Sequence, residues 1–237
     1  MEGLVENGDE SAYRREVIEV VEWCENNNLQ LNTSKTKEMI VDFRKKKIPV
    51  EPLTINGAVI DTVDCFKFLG TTVSNTLGWD ANVEVTVEKA QQRLFFLRQL
   101  KKFGLRRESL IQFYNSVVES VLTFSLCVWY GNTTQRQRDR LERVIRTAVK
   151  IIGCELPSLA SIYSKRSVAR ARKIIADVSH PAKELSQLPP SGKRYRSFKS
   201  RTNRFKNSYF PLVVSALSTE NTCDIIHPAA VRVTFFF

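Results

Sequence analysis

Histidine is almost missing from this chain of 237 residues, which has only His180 and His227. That leaves few ways to build a metal or acid–base centre on imidazole. The five cysteines, Cys24, Cys65, Cys127, Cys154 and Cys223, are odd in number and far apart. They offer neither a Cys-x-x-Cys zinc pair nor a disulfide framework, and are expected to be reduced, mostly buried thiols. No Gly-rich loop follows a strand pattern, so no S-adenosylmethionine site is expected. No run approaches the roughly 18 uninterrupted apolar residues of a membrane span. The N-terminal Met1-Glu2-Gly3-Leu4-Val5-Glu6 is acidic and lacks a basic-then-apolar signal pattern. The expectation is an intracellular protein, nuclear or cytoplasmic, with no membrane partner.

What is present suits a globular fold: 43% of residues are apolar and 26% charged, enough for one or two cores. The net charge of +11 is unevenly placed. Residues 1–30 carry eight acids against Arg14 and Arg15, whereas residues 81–209 hold 26 Lys or Arg against 9 Asp or Glu. A positive field over so long a stretch favours a polyanion, because each neutralised phosphate releases counterions. A set of solvated helix faces would carry the same charges.

Two periodicities divide the chain. Tyr13, Val17, Val20, Val21 and Cys24 recur at helical spacing over 11–26, and Asn26-Asn27-Asn28 ends that helix. Met39, Val41 and Phe43 alternate with Glu38, Ile40 and Asp42, which predicts a strand. Leu53 to Ile60 predicts a hairpin, since Asn56-Gly57 can supply the positive φ angles of a type I′ turn. Gly70 marks a bend after Phe66 and Phe68. The expectation so far is a small antiparallel β unit packed on one helix.

After Asp80, a helix cap, the period becomes 3.6. Val83, Val87, Ala90, Leu94 and Leu97 share one face, and Phe103-Gly104-Leu105 breaks the helix. A second, more apolar helix is expected over 108–126, then a turn at Trp129-Tyr130-Gly131-Asn132. In the next helix Leu141, Val144, Ile145, Ala148, Val149 and Ile152 line one side. Arg136, Arg140, Arg143, Arg146 and Lys150 line the other, and Gly153 is the C-cap. An arginine stripe at this spacing suits a row of phosphates, and equally an ordinary solvated face. Pro157-Ser158 starts another helix. Beyond the loop Leu188-Pro189-Pro190-Ser191-Gly192, Lys193, Arg194, Tyr195, Arg196, Phe198, Lys199, Arg201 and Arg204 interleave cations with rings. Single-stranded nucleic acid uses that mixture, charge for backbone and rings for bases, though a plain basic tail would look similar.

Several blocks over residues 4–218 resemble, in order, the end of the palm and the thumb of LINE-type reverse transcriptases. Asn7-Gly8-Asp9-Glu10-Ser11-Ala12-Tyr13-Arg14 resembles the segment after that family's catalytic loop. Leu31-Asn32-Thr33-Ser34-Lys35-Thr36-Lys37 through Phe43 resembles motif D. Phe66-Lys67-Phe68-Leu69-Gly70 resembles motif E, the primer grip. Gln91-Gln92-Arg93-Leu94 and Gln112-Phe113-Tyr114 resemble the thumb, and Leu188-Pro189 to Ser208-Tyr209-Phe210-Pro211 the end of such reading frames. The resemblance implies primer-grip residues at Phe68, Leu69 and Gly70, and a motif D lysine at Lys35. It implies no catalysis, because the family's metal-binding aspartates lie in motifs A and C upstream, and no Asp-Asp pair occurs here. The magnesium used by the family has no ligand set, so no cofactor is expected.

Residues 141–175 also resemble a helical module named for the N-terminus of AlkB-type tRNA-modifying dioxygenases that carry a methyltransferase domain. Those enzymes use iron and 2-oxoglutarate, but no His-x-Asp is present to hold iron. The resulting expectation is an α+β chain with a palm remnant over 1–78 and a helical thumb-like domain over 79–178. A basic, loop-rich segment over 179–218 and a divergent tail over 219–237 would follow. Its expected role is residual binding of RNA or an RNA–DNA hybrid without catalysis, or alternatively an AlkB-type interaction module. The oligomeric state is left open.

Overall fold

The computed structural model describes residues 9–44, 49–182, 195 and 199–220. The chain is α+β and divides into two compact units, Met1–Asn82 and Val83–Phe237.

In the first unit, helix α1 (Ser11–Asn26) turns Val17 inward onto Leu53, Ile55 and Ile60, with Tyr13, Val21 and Leu31 around them. Strands β2 (Thr54–Ile55) and β3 (Ala58–Val59) form the expected hairpin. Asn56 (φ 49°) and Gly57 (φ 76°) both take the left-handed turn conformation. β1 (Lys37–Glu38) pairs in parallel with β4 (Asp61–Thr62), which corrects the antiparallel expectation. The strand predicted through Met39, Val41 and Phe43 does not form: β4 supplies only two partner residues, and Val41 and Phe43 lie exposed.

A second hairpin joins β5 (Cys65–Phe68) to β6 (Thr71–Ser74) through Leu69 (φ 45°) and Gly70 (φ 86°). The bend at Gly70 was legible. Pairing with 71–74 was not, because β5 is exposed along its whole length and lacks an alternating buried face. Asn82 Oδ1 accepts from the Thr72 amide at 3.1 Å, tying β6 to the segment that follows.

The second unit is helical. In α2 (Asp80–Lys102) the face of Val83, Val87, Ala90, Leu94 and Leu97 is buried as expected, and Gly104 (φ 75°) follows its end. The helix expected over 108–126 is instead broken into pieces. α3 (Arg107–Phe113) passes into a π-helical segment (Tyr114–Glu119), then α4 (Ser120–Leu122), and Ser125 (φ 48°) separates these from α5 (Leu126–Trp129). The cause is the spacing of the buried residues Leu110, Tyr114, Val118, Leu122 and Leu126, which recur every four positions. In an α-helix each such step drifts by about 40°. The underwound π segment brings the row back onto one face.

By length and composition the whole run Arg107–Asn132 is apolar enough to cross a membrane. Here its buried row packs inside the unit, where α3 meets α6 and α5 meets α7.

α6 (Gln135–Ile152) has a complete capping box. The Gln137 amide donates to Thr134 Oγ1, and Gln137 Oε1 accepts from the Thr134 amide at 2.8 Å. Gly153 (φ 81°) closes it. α7 (Leu159–Ala176) starts at the expected Ser158, whose hydroxyl accepts from the Ser161 amide. Glu142 of α6 adds a carboxylate at that N-terminus, accepting from the Leu159 amide at 2.9 Å, where the helix dipole favours it. Part of the segment expected to be loop-rich is helix: α8 (Asn203–Lys206) leads to α9 (Tyr209–Glu220). There Val213 and Leu217 pack on Val168 and Ala171 of α7. The four described cysteines are free, but Cys65 is exposed and Cys24, Cys127 and Cys154 only half-buried, which corrects the expectation of buried thiols.

Candidate nucleic-acid interface

α6 separates its residues into two opposed sectors. Leu141, Val144, Ile145, Ala148 and Ile152 are buried, while Arg136, Arg143, Arg146 and Lys150 are exposed. At about 100° per residue these four cations fall within an arc of roughly 80°. They form no ion pair among the described residues.

Arg140, expected in the same row, is drawn aside. Its Nη2 lies 3.8 Å from Glu84 Oε1 on α2. Asp139 falls within the row and accepts from Gln135 Nε2 at 2.8 Å. Arg138 faces inward in a structural role: its guanidinium lies 5.1 Å from the centre of the Tyr130 ring and donates to Thr133 Oγ1 and the Gly131 carbonyl. Burial pushes the Tyr130 phenol up, and the positive charge of Arg138 opposes that shift.

A groove of about 290 Å³ runs between α2 and α6, lined by Gln91, Leu94, Arg98, Arg143, Val144 and Thr147. Leu94 and Val144 are buried and form its floor, while exposed Arg98 and Arg143 bring two positive charges to its walls. Bringing two guanidinium groups together raises the local potential, and an anion in the groove would relieve it. Gln91 and Thr147 add neutral hydrogen-bonding groups. Such a lining can hold a phosphate, and its six residues include no histidine, carboxylate or thiol. Among the described residues no group of three or more His, Cys, Asp or Glu side chains is placed to hold a metal ion.

Arg98 was not singled out from the sequence, and neither were the exposed rings Phe95 and Phe96 on the same helix. The available signal was angular: all three fall outside the sector marked by Val83, Ala90, Leu94 and Leu97.

The other expected site residues belong to other segments of the chain. Lys35 lies exposed in a turn built on Asn32, whose Oδ1 accepts from the Lys35 amide at 3.1 Å and from Ser34 Oγ at 2.7 Å. Phe68, Leu69 and Gly70 form the exposed tip of the β5–β6 hairpin. Lys193, Arg194, Arg196 and Phe198 lie outside the described residues. Tyr195 is half-buried and packs against the Val168, Ala171, Val213 and Leu217 cluster. Lys199, Arg201 and Arg204 are exposed.

The family model described as "Alkylated DNA repair protein alkB homolog 8, N-terminal" matches residues 79–120, which span α2, α3 and the π-helical segment. The match covers a minority of the chain and lies before residues 141–175, where that likeness was expected. No curated protein and no solved structure matches the chain, so the LINE resemblance rests on the quoted sequence blocks alone. Residues 79–120 are similar to an AlkB-type N-terminal module.

Proposed function

We propose that the helical unit is a non-catalytic binding module that holds the sugar-phosphate backbone of a nucleic acid along the basic faces of α2 and α6. The observation that carries this reading is the groove between the two helices, where Arg98 and Arg143 share one cavity and Arg146 and Lys150 continue the row. The match over residues 79–120 supports a module of the AlkB homolog N-terminal type, and the name of that family refers to repair of alkylated DNA. The α2 half of the groove lies within the matched stretch, and the α6 half extends it.

The β5–β6 hairpin favours a second reading, that of a reverse-transcriptase remnant. A tip with exposed Phe68 and Leu69 stands where the motif E resemblance places a primer grip. Lys35 would then occupy the motif D position. Both readings need nucleic acid, and neither needs chemistry from this chain.

Binding of a fluorescent RNA–DNA hybrid across a salt series tests the proposal. Four phosphate contacts predict a log–log slope of about −3 to −4. Replacing Arg143 and Arg146 with glutamate is expected to reduce that slope by about two and to weaken binding at every salt concentration. A flat, weak response from folded protein would leave the basic faces as solvated surface and sink the proposal.

A further inference from the structure

The β5–β6 hairpin has one occupied edge and one open edge. Its two-residue turn at Leu69 and Gly70 makes Phe68 and Thr71 a hydrogen-bonded pair, so the strands bond to each other through Phe68 and Phe66. The Asn75 amide, which donates to the Asp64 carbonyl at 2.8 Å, continues the same phase. Cys65 and Lys67 therefore turn their amides and carbonyls away from β6, as Thr72 and Ser74 turn theirs away from β5. On the β6 edge an outward donor and an outward acceptor are already used. The Thr72 amide donates to Asn82 Oδ1 at 3.1 Å, and the Ser74 carbonyl accepts from the Leu77 amide at 2.8 Å. On the β5 edge the four outward groups of Cys65 and Lys67 have no partner among the described residues, and β6 is the one strand there that pairs with β5. All four residues of β5 are exposed, Phe66 by 39% and Phe68 by 60%.

We propose that this open edge pairs with the same edge of a second copy of the chain, the two β5 strands running antiparallel about a twofold axis at Phe66. A closed, isologous contact needs an edge that complements itself. Opposed residues of an antiparallel pair share a face of the sheet, so the axis can fall at Cys65, Phe66 or Lys67. An axis at Lys67 would set two lysines directly opposite each other, and like charges there are destabilising. An axis at Cys65 would set Lys67 opposite Val63, whose amide already donates to the Glu38 carbonyl at 2.8 Å. An axis at Phe66 sets Cys65 of each copy opposite Lys67 of the other, and all four outward groups on each strand find partners. It also opposes the two Phe66 residues in a non-hydrogen-bonded pair, where side chains come closest and an aromatic pair stabilises the sheet. Lys67 thus selects the register. The used β6 edge stops the sheet at two copies, where two open edges would let it grow. A four-residue edge falls short of the roughly 1,200 Å² of a standard interface, so the pairing is expected to be weak and its population to follow concentration.

The test uses the full chain, freed of nucleic acid and kept reduced, in sedimentation equilibrium across a concentration series. The average mass is expected to rise from one chain towards two and to level off there. Lys67→Pro removes an outward amide from each copy and leaves the β5–β6 bonds, which come from Phe66 and Phe68, in place. Losing two bonds across the axis should weaken self-association by roughly 5- to 150-fold. Phe66→Lys, which opposes two positive charges at the axis, should weaken it too and keeps the test valid if the proline variant fails to fold. In C65S/F66C, oxidation should cross-link the two copies through the new thiols, identified by mass spectrometry of the joined peptides. A mass of one chain at every concentration would overturn the proposal. So would a rise that survives both Lys67→Pro and Phe66→Lys, growth beyond two copies, or a C65S/F66C chain that joins only through its other cysteines.

Discussion

Arg140 on α6 and Glu84 on α2 meet at 3.8 Å, with side chains 39% and 59% exposed. A pair so open to solvent is worth about 0.5 kcal/mol. Its larger effect is to withhold one cation from the α6 row. Glu84→Ala is therefore expected to leave the melting temperature nearly unchanged and to steepen the salt dependence of nucleic-acid binding by about 0.9 in log–log slope. A large loss of stability with no change in slope would show that the pair serves packing rather than gating the charge of Arg140.

Tyr114 is fully buried in the π-helical segment, and its hydroxyl has no hydrogen-bond partner among the described residues. Burial, and to a lesser degree the charges of Glu119 and Glu142, push its pKa up. Removing an unsatisfied buried hydroxyl while keeping the ring relieves its desolvation cost. Tyr114→Phe should stabilise the protein by about 1 kcal/mol, read as a higher urea midpoint at unchanged m-value. A lower midpoint would mean that the hydroxyl makes a bond the static geometry does not show.

Gly131 sits where the segment before α9 crosses the short 3₁₀ turn Tyr130–Asn132. A Cβ there would lie 2.5 Å from the Asn207 carbonyl oxygen, 2.9 Å from Tyr163 Oη and 3.0 Å from Leu212 Cδ1. The first of these is backbone and cannot swing away. Gly131→Ala is expected to cost about 1–3 kcal/mol, measured by denaturant unfolding. A change below about 0.5 kcal/mol would place the C-terminal segment elsewhere in solution.

Alkaline pH should weaken both units. Burial, with the Glu38 carboxylate that accepts from Tyr13 Oη at 3.0 Å, raises the Tyr13 phenol from 10.0 to about 12. Burial likewise raises Tyr209, whose hydroxyl donates to the Ser167 carbonyl at 3.1 Å, to about 12. A pKa raised on folding means that the native state holds the proton more tightly than the unfolded chain. The stabilisation is thus fully present below pH 10 and is lost as pH rises from 10 towards 12. Melting temperatures recorded from pH 8 to 11.5 should stay level and then fall. Tyr13→Phe and Tyr209→Phe together should flatten that fall, and an identical fall in the double variant would assign it to other groups.

Much of the helical unit was legible because its signals are local. Val83 to Leu97, Leu141 to Ile152, the Ser158 cap and the Gly153 stop all follow from spacing within one element. Asn56-Gly57 announced its hairpin for the same reason: two adjacent residues suffice to set the turn. The π segment was missed although its signal was present. The four-residue repeat from Leu110 to Leu126 reads as ordinary helix unless the accumulated drift is followed across five residues.

The candidate site was legible only in half. The exposure of Arg136, Arg143, Arg146 and Lys150 follows from their angular distance to Leu141 and Ile145. The diversion of Arg140, the inward turn of Arg138 and the pairing of Arg143 with Arg98 do not, since each depends on a partner outside the helix. Tyr195 shows another side of the same limit: among cations it reads as a stacking ring, and only the fold shows that apolar side chains of α7 and α9 pack against it.

The sequence by itself determined that the chain is α+β, where α2 and α6 start and stop, where α7 starts, and which side of α6 carries charge. A 3.6-residue period and a cap are properties of a few consecutive residues. Only the tertiary structure decided the parallel pairing of Lys37–Glu38 with Asp61–Thr62 and the groove that joins Gln91 and Arg98 to Arg143 and Thr147. It also decided that Phe95 and Phe96 stay in water. Those outcomes rest on contacts between residues far apart along the chain, and packing selects such contacts by shape and charge that no local pattern records.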